Sequence, residues 1–215
     1  MWRTVLLLSL MAGAGWGQGR NAPRGTAGEF DFYLLSMSWS PQYCSSPAGE
    51  RDTAQCGAGR RYEFILHGLW PQYERGWPQF CASSQGLSNA LVEKMMDVMP
   101  SRRLVRHEWE KHGVCTGLSA AEYFGKARAA FSAVRVPATL QSPRSARTVA
   151  PLKIRDEIAA ANPGLGKDAV SVTCAGRFLS EVRVCLGKDM KGRACSADVT
   201  RQACRLPEII VQPVR

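Results

Sequence analysis

Residues 107–113 have the sequence His107-Glu108-Trp109-Glu110-Lys111-His112-Gly113, which holds two of the chain's three histidines. The third, His67, lies in a second stretch, Phe-Ile-Leu-His-Gly-Leu-Trp-Pro, at residues 64–71. An unperturbed histidine has a pKa of about 6.5, so it accepts and donates protons near neutrality. Because every histidine of the 215-residue chain lies in one of these two stretches, they predict acid–base chemistry.

Residues 107–113 are predicted to form an α-helix. At about 100° per residue, positions i and i+4 lie on one face of such a helix. One polar face is therefore expected to be shared by four side chains: His107, Glu108, Lys111 and His112. Trp109 is predicted to point away from this face towards a core, and Gly113 is predicted to end the helix with a positive φ.

Three interpretations of this polar face compete. The simplest is a solvated amphipathic helix, which a run of charges usually forms. The second is a zinc site, because His-Glu-x-x-x-His resembles a metalloprotease signature. That signature has its histidines at i and i+4, whereas His107 and His112 are at i and i+5, and Lys111 would add positive charge beside the metal. The third is metal-free acid–base catalysis on an anion, with Lys111 as electrostatic partner, and the segment around His67 favours it.

The N-terminus is predicted to be a secretory signal peptide over residues 1–17. A single positive charge is followed by a short apolar segment and small residues, and cleavage after Ala14 and cleavage after Gly17 both fit this pattern. Residues 18–28 are predicted to be a flexible lead-in, and residues 29–215 a single catalytic domain. No later stretch is apolar enough to span a membrane. The protein is therefore expected to be secreted or periplasmic.

Eight cysteines lie in the predicted mature chain: Cys44, Cys56, Cys81, Cys115, Cys174, Cys185, Cys195 and Cys204. An even number in an exported chain favours disulfides, because exported proteins meet oxidising conditions. No Cys-x-x-Cys occurs, which argues against a zinc ribbon or a thioredoxin-type motif. Four structural bridges are expected, and the loop between Cys44 and Cys56 predicts that these two pair. Spacing alone leaves the other pairs open.

The chain is basic, with a formal net charge of +10. Such a charge attracts polyanions, among them nucleic acids, anionic glycans and membrane surfaces. Solubility explains part of it, so the charge favours an anionic substrate without naming one.

Hydrophobic patterns predict helices in the middle of the chain and strands at both ends. Strands are expected at 30–39, 62–66, 169–174 and 179–186, and helices at 88–99, 119–134 and 151–161. The second strand is expected to deliver His67 at its C-terminal end. Ser119 and Glu122 form a predicted capping box at the start of one helix. This grouping of helices and strands indicates an α+β domain.

Together, the two histidine segments resemble the two active-site segments of the ribonuclease T2 family, and of its bacterial members in particular. Their order and separation match, and weaker similarity covers nearly the whole mature chain, including Leu-Ser-Glu-Val-Arg-Val-Cys at residues 179–185. The resemblance implies a ribonuclease T2-like fold with a central antiparallel β-sheet, several helices and four disulfides. It implies the pairs Cys44–Cys56, Cys81–Cys115, Cys174–Cys204 and Cys185–Cys195.

The resemblance also implies a function: metal-independent endoribonuclease cleavage of single-stranded RNA through a 2′,3′-cyclic phosphate, without a cofactor. On this basis His112 is the general base on the 2′-hydroxyl, and His67 is the acid that protonates the leaving 5′-oxygen. His107 corresponds to a phosphate-binding histidine, and Glu108 and Lys111 correspond to residues that stabilise the pentacovalent phosphorane. Because the nucleophile is the 2′-hydroxyl, DNA is not expected to be cut. A monomer is expected.

Two aromatic residues near the first segment are candidates for substrate binding. Trp70 is expected either to stack a base, with help from Tyr73, or only to pack the loop. Gln72 occupies a position where many family members have an acidic residue that contacts the base. This departure leaves the base preference open.

The alternative function is a catalytically silent, cationic, secreted binding protein on the same fold. A binding role needs no complete set of acid, base and electrostatic partner. Presence of the full set therefore favours the enzyme: His67, His107, Glu108, Lys111 and His112.

Overall fold

A computed structural model describes residues 22–214. Its strands are β1 (Phe32–Trp39), β2 (Phe64–Gln72), β3 (Arg147–Val149), β4 (Val170–Ala175), β5 (Phe178–Leu186) and β6 (Ile209–Val211). Its α-helices are α1 (Ser40–Cys44), α2 (Thr53–Cys56), α3 (Asn89–Met95), α4 (Arg102–Lys111), α5 (Ala120–Ala133), α6 (Pro151–Ala161) and α7 (Ala197–Arg201). The predicted signal peptide, residues 1–17, and the first part of the predicted lead-in lie outside the described residues.

The strands form one sheet in the order β2-β1-β5-β6-β3, and β4 also pairs with β5. All pairs are antiparallel except β5 with β6, which is parallel. One face of β1 contributes Leu35, Met37 and Trp39 to the main core, where α4 and α5 also pack. On the opposite face, Leu34 joins a smaller cluster with Val199. The predicted α+β class with a central, mainly antiparallel sheet is confirmed.

The second strand corrects the sequence prediction. His67 does not stand at a strand end, because β2 continues through Gly68 to Gln72. In the ladder with β1, Ser36 faces Gly68 while Met37 faces Leu66, so His67 is the extra residue of a β-bulge. Bulges re-aim a side chain and are frequent next to active sites. The strand tolerates a proline near its end because β2 lies at the edge of the sheet.

Helix α4 forms where the histidine segment predicted a helix, and Ser101 caps its start by accepting a hydrogen bond from the Leu104 amide. Trp109 is buried in the core against Tyr123, as predicted. The expectation for Gly113 is wrong: it opens a 3₁₀ turn without a positive φ, and the left-handed residue is Gly117. Glycine is required at position 113 for another reason, since a Cβ on Gly113 would lie 2.3 Å from the Trp109 ring.

The other three predicted helices form, one of them shortened, whereas the short helices α1, α2 and α7 were not predicted. The predicted capping box of Ser119 and Glu122 starts α5, and α6 has the predicted bounds. Helix α3 begins after Ser88, which caps it, but ends at Met95 rather than Met99. No helix within residues 22–214 is long and apolar enough to cross a membrane.

Four disulfides link distant parts of the fold: Cys44–Cys56, Cys81–Cys115, Cys174–Cys204 and Cys185–Cys195. These are the pairs that the family resemblance implies. Cys81–Cys115 fixes the chain immediately after α4, and two bridges tie β4 and β5 to the C-terminal segment around α7. The bridges therefore fasten the elements on both sides of the histidines.

Candidate active site

Helix α4 lies against β2, and this contact brings together the two histidine segments. The Glu108 carboxylate sits directly over Gly68, where a Cβ would come within 2.0 Å of Glu108 Oε2 and 2.4 Å of Trp70 Nε1. Because Gly68 has no side chain, helix and strand approach closely at this point. The absence of a Cβ at Gly68 thus allows Glu108 to reach the neighbourhood of His67.

Glu108 is a buried acid. Its side chain accepts a hydrogen bond from Trp70 Nε1 at 2.6 Å, and its Oε1 lies 3.7 Å from His67 Nε2. Burial raises the pKa of Glu108 to about 7, against the opposing effects of His67, the Trp70 hydrogen bond and Lys111. Near neutrality the carboxyl is therefore divided between its charged and its protonated form.

His112 is also buried, at the C-terminal cap of α4. Its amide donates to the Glu108 carbonyl at 3.0 Å, and its ring stacks on Trp70 with centroids 5.3 Å apart. Within residues 22–214 its Nδ1 has no hydrogen-bond partner. Burial, and then the positive charges of Lys111, His67 and His107, hold the pKa of His112 well below its ordinary value. At neutral pH this imidazole is uncharged and able to accept a proton.

His67 has the opposite environment. Its Nδ1 lies 2.5 Å from Glu181 Oε1, and about a third of its side chain is exposed to solvent (34%). Burial by itself lowers the pKa of His67, but the hydrogen bond to Glu181 and the negative charges of Glu108 and Glu181 outweigh it, so the pKa is raised. His67 therefore favours the protonated form.

Glu181 and Arg183 are the site residues that the sequence analysis missed. Arg183 donates to Glu181 Oε2 from Nε at 2.8 Å and contacts the same oxygen from Nη2 at 2.7 Å. Burial favours the protonated carboxyl, but the hydrogen bond from His67 and its charge, with Arg183, lower the pKa of Glu181 to about 2. Their signal was available: two charged residues at i and i+2 in a mainly apolar strand, pointing to one face.

The contact between His67 and Glu181 crosses the strand that separates them. Strand β1 lies between β2 and β5, so the two residues are two strand spacings apart, roughly 9–10 Å between backbones. On the face that carries Glu181 and Arg183, β1 presents Ser36 and Ser38 opposite them. Small serines leave room for the long side chains to meet above β1.

His107 and Lys111 complete the predicted set on the outer part of α4. His107 is exposed and lies edge-on to Phe80, with ring centroids 6.5 Å apart. Partial burial and the charge of Lys111 lower the pKa of His107. Lys111 also lowers the pKa of His112, so its ammonium acts on both imidazoles of this helix. The charge of Lys111, the predicted positive partner, therefore acts on both histidines.

A cleft of 620 Å³ opens beside His67 and His107. Its other lining residues include Glu181, Arg51 and Arg103. The lining is of mixed charge, because the acidic Asp52 and Glu181 accompany the two arginines.

The contacts of Trp70 bear on the two alternatives that the sequence left open for it. The Trp70 ring stacks on His112, and the Arg183 guanidinium lies 5.3 Å from its centroid. These contacts, together with its hydrogen bond to Glu108, favour a packing role over base stacking. Tyr73 lies against Gly25, and its amide donates to the Gly76 carbonyl.

Two further expectations concern groups beside the site. Gln72 is buried, and its side-chain amide donates to the Pro71 carbonyl at 2.9 Å. Within residues 22–214 no three histidine, cysteine, aspartate or glutamate side chains are grouped as a metal site requires. The zinc interpretation therefore finds no ligand set there.

Comparison with known proteins identifies the family. The sequence model of the Ribonuclease T2 family matches residues 30–195. The chain belongs to the ribonuclease T2 family. It is 34% identical over 221 residues to "Ribonuclease" of Aeromonas hydrophila, covering 100% of each chain. It is 28% identical to "Ribonuclease I" of Escherichia coli (strain K12), covering 80% of each.

Solved structures of low sequence identity share the fold. The "RNase-related protein from Calystegia sepium" superimposes with a TM-score of 0.69 at 19% identity, covering 86% of this chain and 98% of that one. "RNase NT in complex with 5'-AMP" has a TM-score of 0.62 at 23% identity, with coverages of 86% and 99%. The ribonuclease T2-like fold expected from the histidine segments is therefore confirmed.

Proposed function

We propose that this chain cleaves single-stranded RNA by metal-free transphosphorylation through a 2′,3′-cyclic phosphate. Its enzyme class, an endoribonuclease, follows from family membership. One arrangement carries the mechanism: His67 and His112 both pack against the Trp70 ring, and their surroundings shift their pKa values in opposite directions, His112 down and His67 up. Such a pair supplies one proton acceptor and one proton donor at the same pH.

In this mechanism His112 is the general base. The neutral imidazole takes the proton of the 2′-hydroxyl, and the 2′-oxygen forms a bond to phosphorus. His67 is the general acid, and it gives its proton to the 5′-oxygen as the bond from phosphorus to that oxygen breaks. One proton is taken and one is given, so the enzyme returns to its starting state when the cyclic phosphate is hydrolysed by the reverse exchange.

The remaining residues stabilise the charge that develops on the phosphorane. Lys111 and His107 lie on the outer face of α4, where they meet the equatorial phosphoryl oxygens. Glu108, with a pKa raised to about 7, is in part a carboxylic acid and donates a hydrogen bond to one of these oxygens. Fixed donors and charges aimed at developing charge are usually the largest contribution to such catalysis.

The cleft beside His67 and His107 is where we place the RNA strand. Within its mixed lining, we expect Arg51 and Arg103 to contact the phosphate backbone. Because the nucleophile is the 2′-hydroxyl, deoxyribose substrates are not cut.

The location and assembly of the protein are also proposed. Four disulfides fit an oxidising compartment, which supports export by the signal peptide predicted at residues 1–17. We propose that residues 29–215 act as one secreted or periplasmic catalytic domain and as a monomer.

The experiment that tests this function is product analysis on the dinucleotides CpA and ApU and their 2′-deoxy counterparts, with EDTA present. A 2′,3′-cyclic phosphate from the ribo substrates only is the expected result. His112→Ala and His67→Ala should each lower turnover by about 10²–10⁴-fold. Cleavage that stops in EDTA would overturn the metal-free mechanism. No cleavage by a folded, disulfide-intact sample would favour the silent binding protein.

A further inference from the structure

The contact between His67 and Glu181 is the shortest hydrogen bond that His67 makes, and no catalytic step uses Glu181. The carboxylate is buried, and its two oxygens have different partners. Oε1 contacts His67 Nδ1 at 2.5 Å, whereas Oε2 contacts Arg183 at 2.7 and 2.8 Å. The carboxylate is thus held from one side and directed at the histidine from the other.

We propose that Glu181 is a positioning residue that fixes the general acid His67 with its Nδ1 protonated and its Nε2 free to deliver the catalytic proton. The proposal rests on the proposed function for the role of His67. It adds a buried carboxylate, held by Arg183, that the catalytic set lacks.

The direction of the hydrogen bond follows from the chemistry of the two groups. An ionised carboxylate only accepts hydrogen bonds, so Nδ1 of His67 is the donor. The pKa of Glu181, lowered to about 2, keeps the carboxylate ionised over the whole working range. With Nδ1 occupied, Nε2 is the nitrogen that exchanges protons. It lies 3.7 Å from Glu108 Oε1, on the side of α4 and its catalytic residues.

The support for Glu181 extends into the C-terminal segment. Arg183 Nη1 donates to Gln202 Oε1 at 2.8 Å, and Gln202 caps the end of α7. Two disulfides, Cys174–Cys204 and Cys185–Cys195, fasten this segment to β4 and β5 close to both residues. The geometry of His67 is therefore set by a chain of contacts that begins in a disulfide-tied part of the fold.

The charges that face His67 predict shifts of opposite sign for two variants. Strand β5 presents Glu181, which raises the pKa of His67, and Arg183, which lowers it. Helix α4 presents Glu108, which raises the pKa of His67. The same helix carries His107 and ends at His112, and the charge of His67 lowers the pKa of both. Removing the carboxylate charge should lower the pKa of His67, and removing the guanidinium charge should raise it.

The experiment measures the pKa of His67 and the pH profile of cleavage in the full mature chain. The chain has only three histidines, so their ring proton signals can be followed by NMR and assigned with His67→Ala. Glu181→Gln should lower the pKa of His67 by about 1–3 units. It should lower kcat by roughly 10–100-fold, as loss of an orienting partner does for histidines in metal sites. The alkaline limb of the kcat profile should move to lower pH, while KM changes little.

Arg183→Gln is the matched variant, because it also exchanges a charged group for an amide in the same contact. It should move the pKa of His67 upward. A merely structural disturbance would move both variants in one direction, and that result would overturn the proposal. An unchanged His67 titration in folded Glu181→Gln, with or without lost activity, would also overturn it.

Two controls keep the outcome decisive. Asp156→Asn removes one negative charge that Asp156 on α6 shares with Arg155 and Lys167, and it should leave the pKa of His67 and kcat unchanged. Because Glu181→Gln leaves Arg183 without its counter-ion, the double variant Glu181→Gln/Arg183→Gln is measured if the single variant does not fold. It should retain a lowered kcat, and wild-type kcat would overturn the proposal. If the wild-type protein does not cleave RNA, the proposed function fails, but the titrations still decide whether Glu181 sets the state of His67.

Discussion

Replacing Gly68 with alanine tests the packing that brings helix and strand together. The new Cβ would lie 2.0 Å from Glu108 Oε2, 2.4 Å from Trp70 Nε1 and 2.9 Å from Glu108 Cδ. Ordinary van der Waals contact begins near 3.4 Å, so the carboxylate must retreat by about 1.4 Å. This displacement breaks the 2.6 Å hydrogen bond between Trp70 and Glu108.

Loss of both stability and activity is expected from this displacement. Overpacking of a buried site costs about 1–3 kcal/mol of unfolding free energy. A misplacement of about 1 Å in a catalytic group can lower the rate by about 10²-fold. Since Trp70 also stacks on His112, the base is expected to move with it. Gly68→Ala should therefore fold, with lower stability, and cleave a dinucleotide about 100-fold more slowly.

Thermal or urea unfolding and steady-state cleavage of CpA measure the two effects. Gly125→Ala is the matched control, because its Cβ on α5 would meet nothing within 4 Å. Alanine in a helix is favoured over glycine by about 0.8–1 kcal/mol, so this control should be slightly more stable and fully active. A folded Gly68→Ala with activity within about threefold of wild type would refute the close approach described for Glu108.

Three further predictions follow from the titrating groups and the disulfides. First, kcat/KM should rise with pH through the pKa of His112, which is lowered below 6.5, and fall through the pKa of His67, which is raised above 6.5. A profile whose acid-side pKa lies above 6.5, or whose alkaline-side pKa lies below 6.5, would contradict the assignment of base and acid. Second, the pKa of Glu108 is raised from 4.5 to about 7, so its stabilising contribution is full below pH 4.5 and is lost as the pH rises through 7. At pH 8 the unfolding free energy of Glu108→Gln, measured by denaturant titration, should therefore exceed that of wild type by on the order of 3 kcal/mol. This difference should disappear at pH 4, and the variant should cleave RNA more slowly. Third, the double variant Cys81→Ser/Cys115→Ser, which opens a bridge between residues 34 apart, should lower the unfolding free energy by about 2–5 kcal/mol, and equal denaturation midpoints under oxidising conditions would show that the bridge contributes no stability.

One contact that supports the site lies outside the residues that the family model matches. The family match ends at residue 195, whereas Gln202, which supports Arg183, lies beyond it. All three histidines, Glu181 and Arg183 lie within the matched residues. A variant of Gln202 would show whether this C-terminal contact affects the pKa of His67.

Local sequence patterns determined the parts of the site that lie on one element. The i and i+4 spacing of Glu108 and His112 required only a helix, and the apolar neighbour Trp109 showed which face was buried. The capping box of Ser119 and the bounds of α6 are equally local. Such features are set by backbone geometry within a few residues, so they are readable without knowing the rest of the fold.

Only the tertiary structure decided the contacts and the pKa of His67. Its partner Glu181 is 114 residues away in the chain and two strands away in the sheet. The bulge that aims His67 depends on the register between β2 and β1, which a single residue shift would reverse. The opposite pKa shifts of His67 and His112 arise from burial and from charges on other elements. Sequence therefore determined which groups are present, whereas packing decided which imidazole has a raised pKa and which has a lowered one.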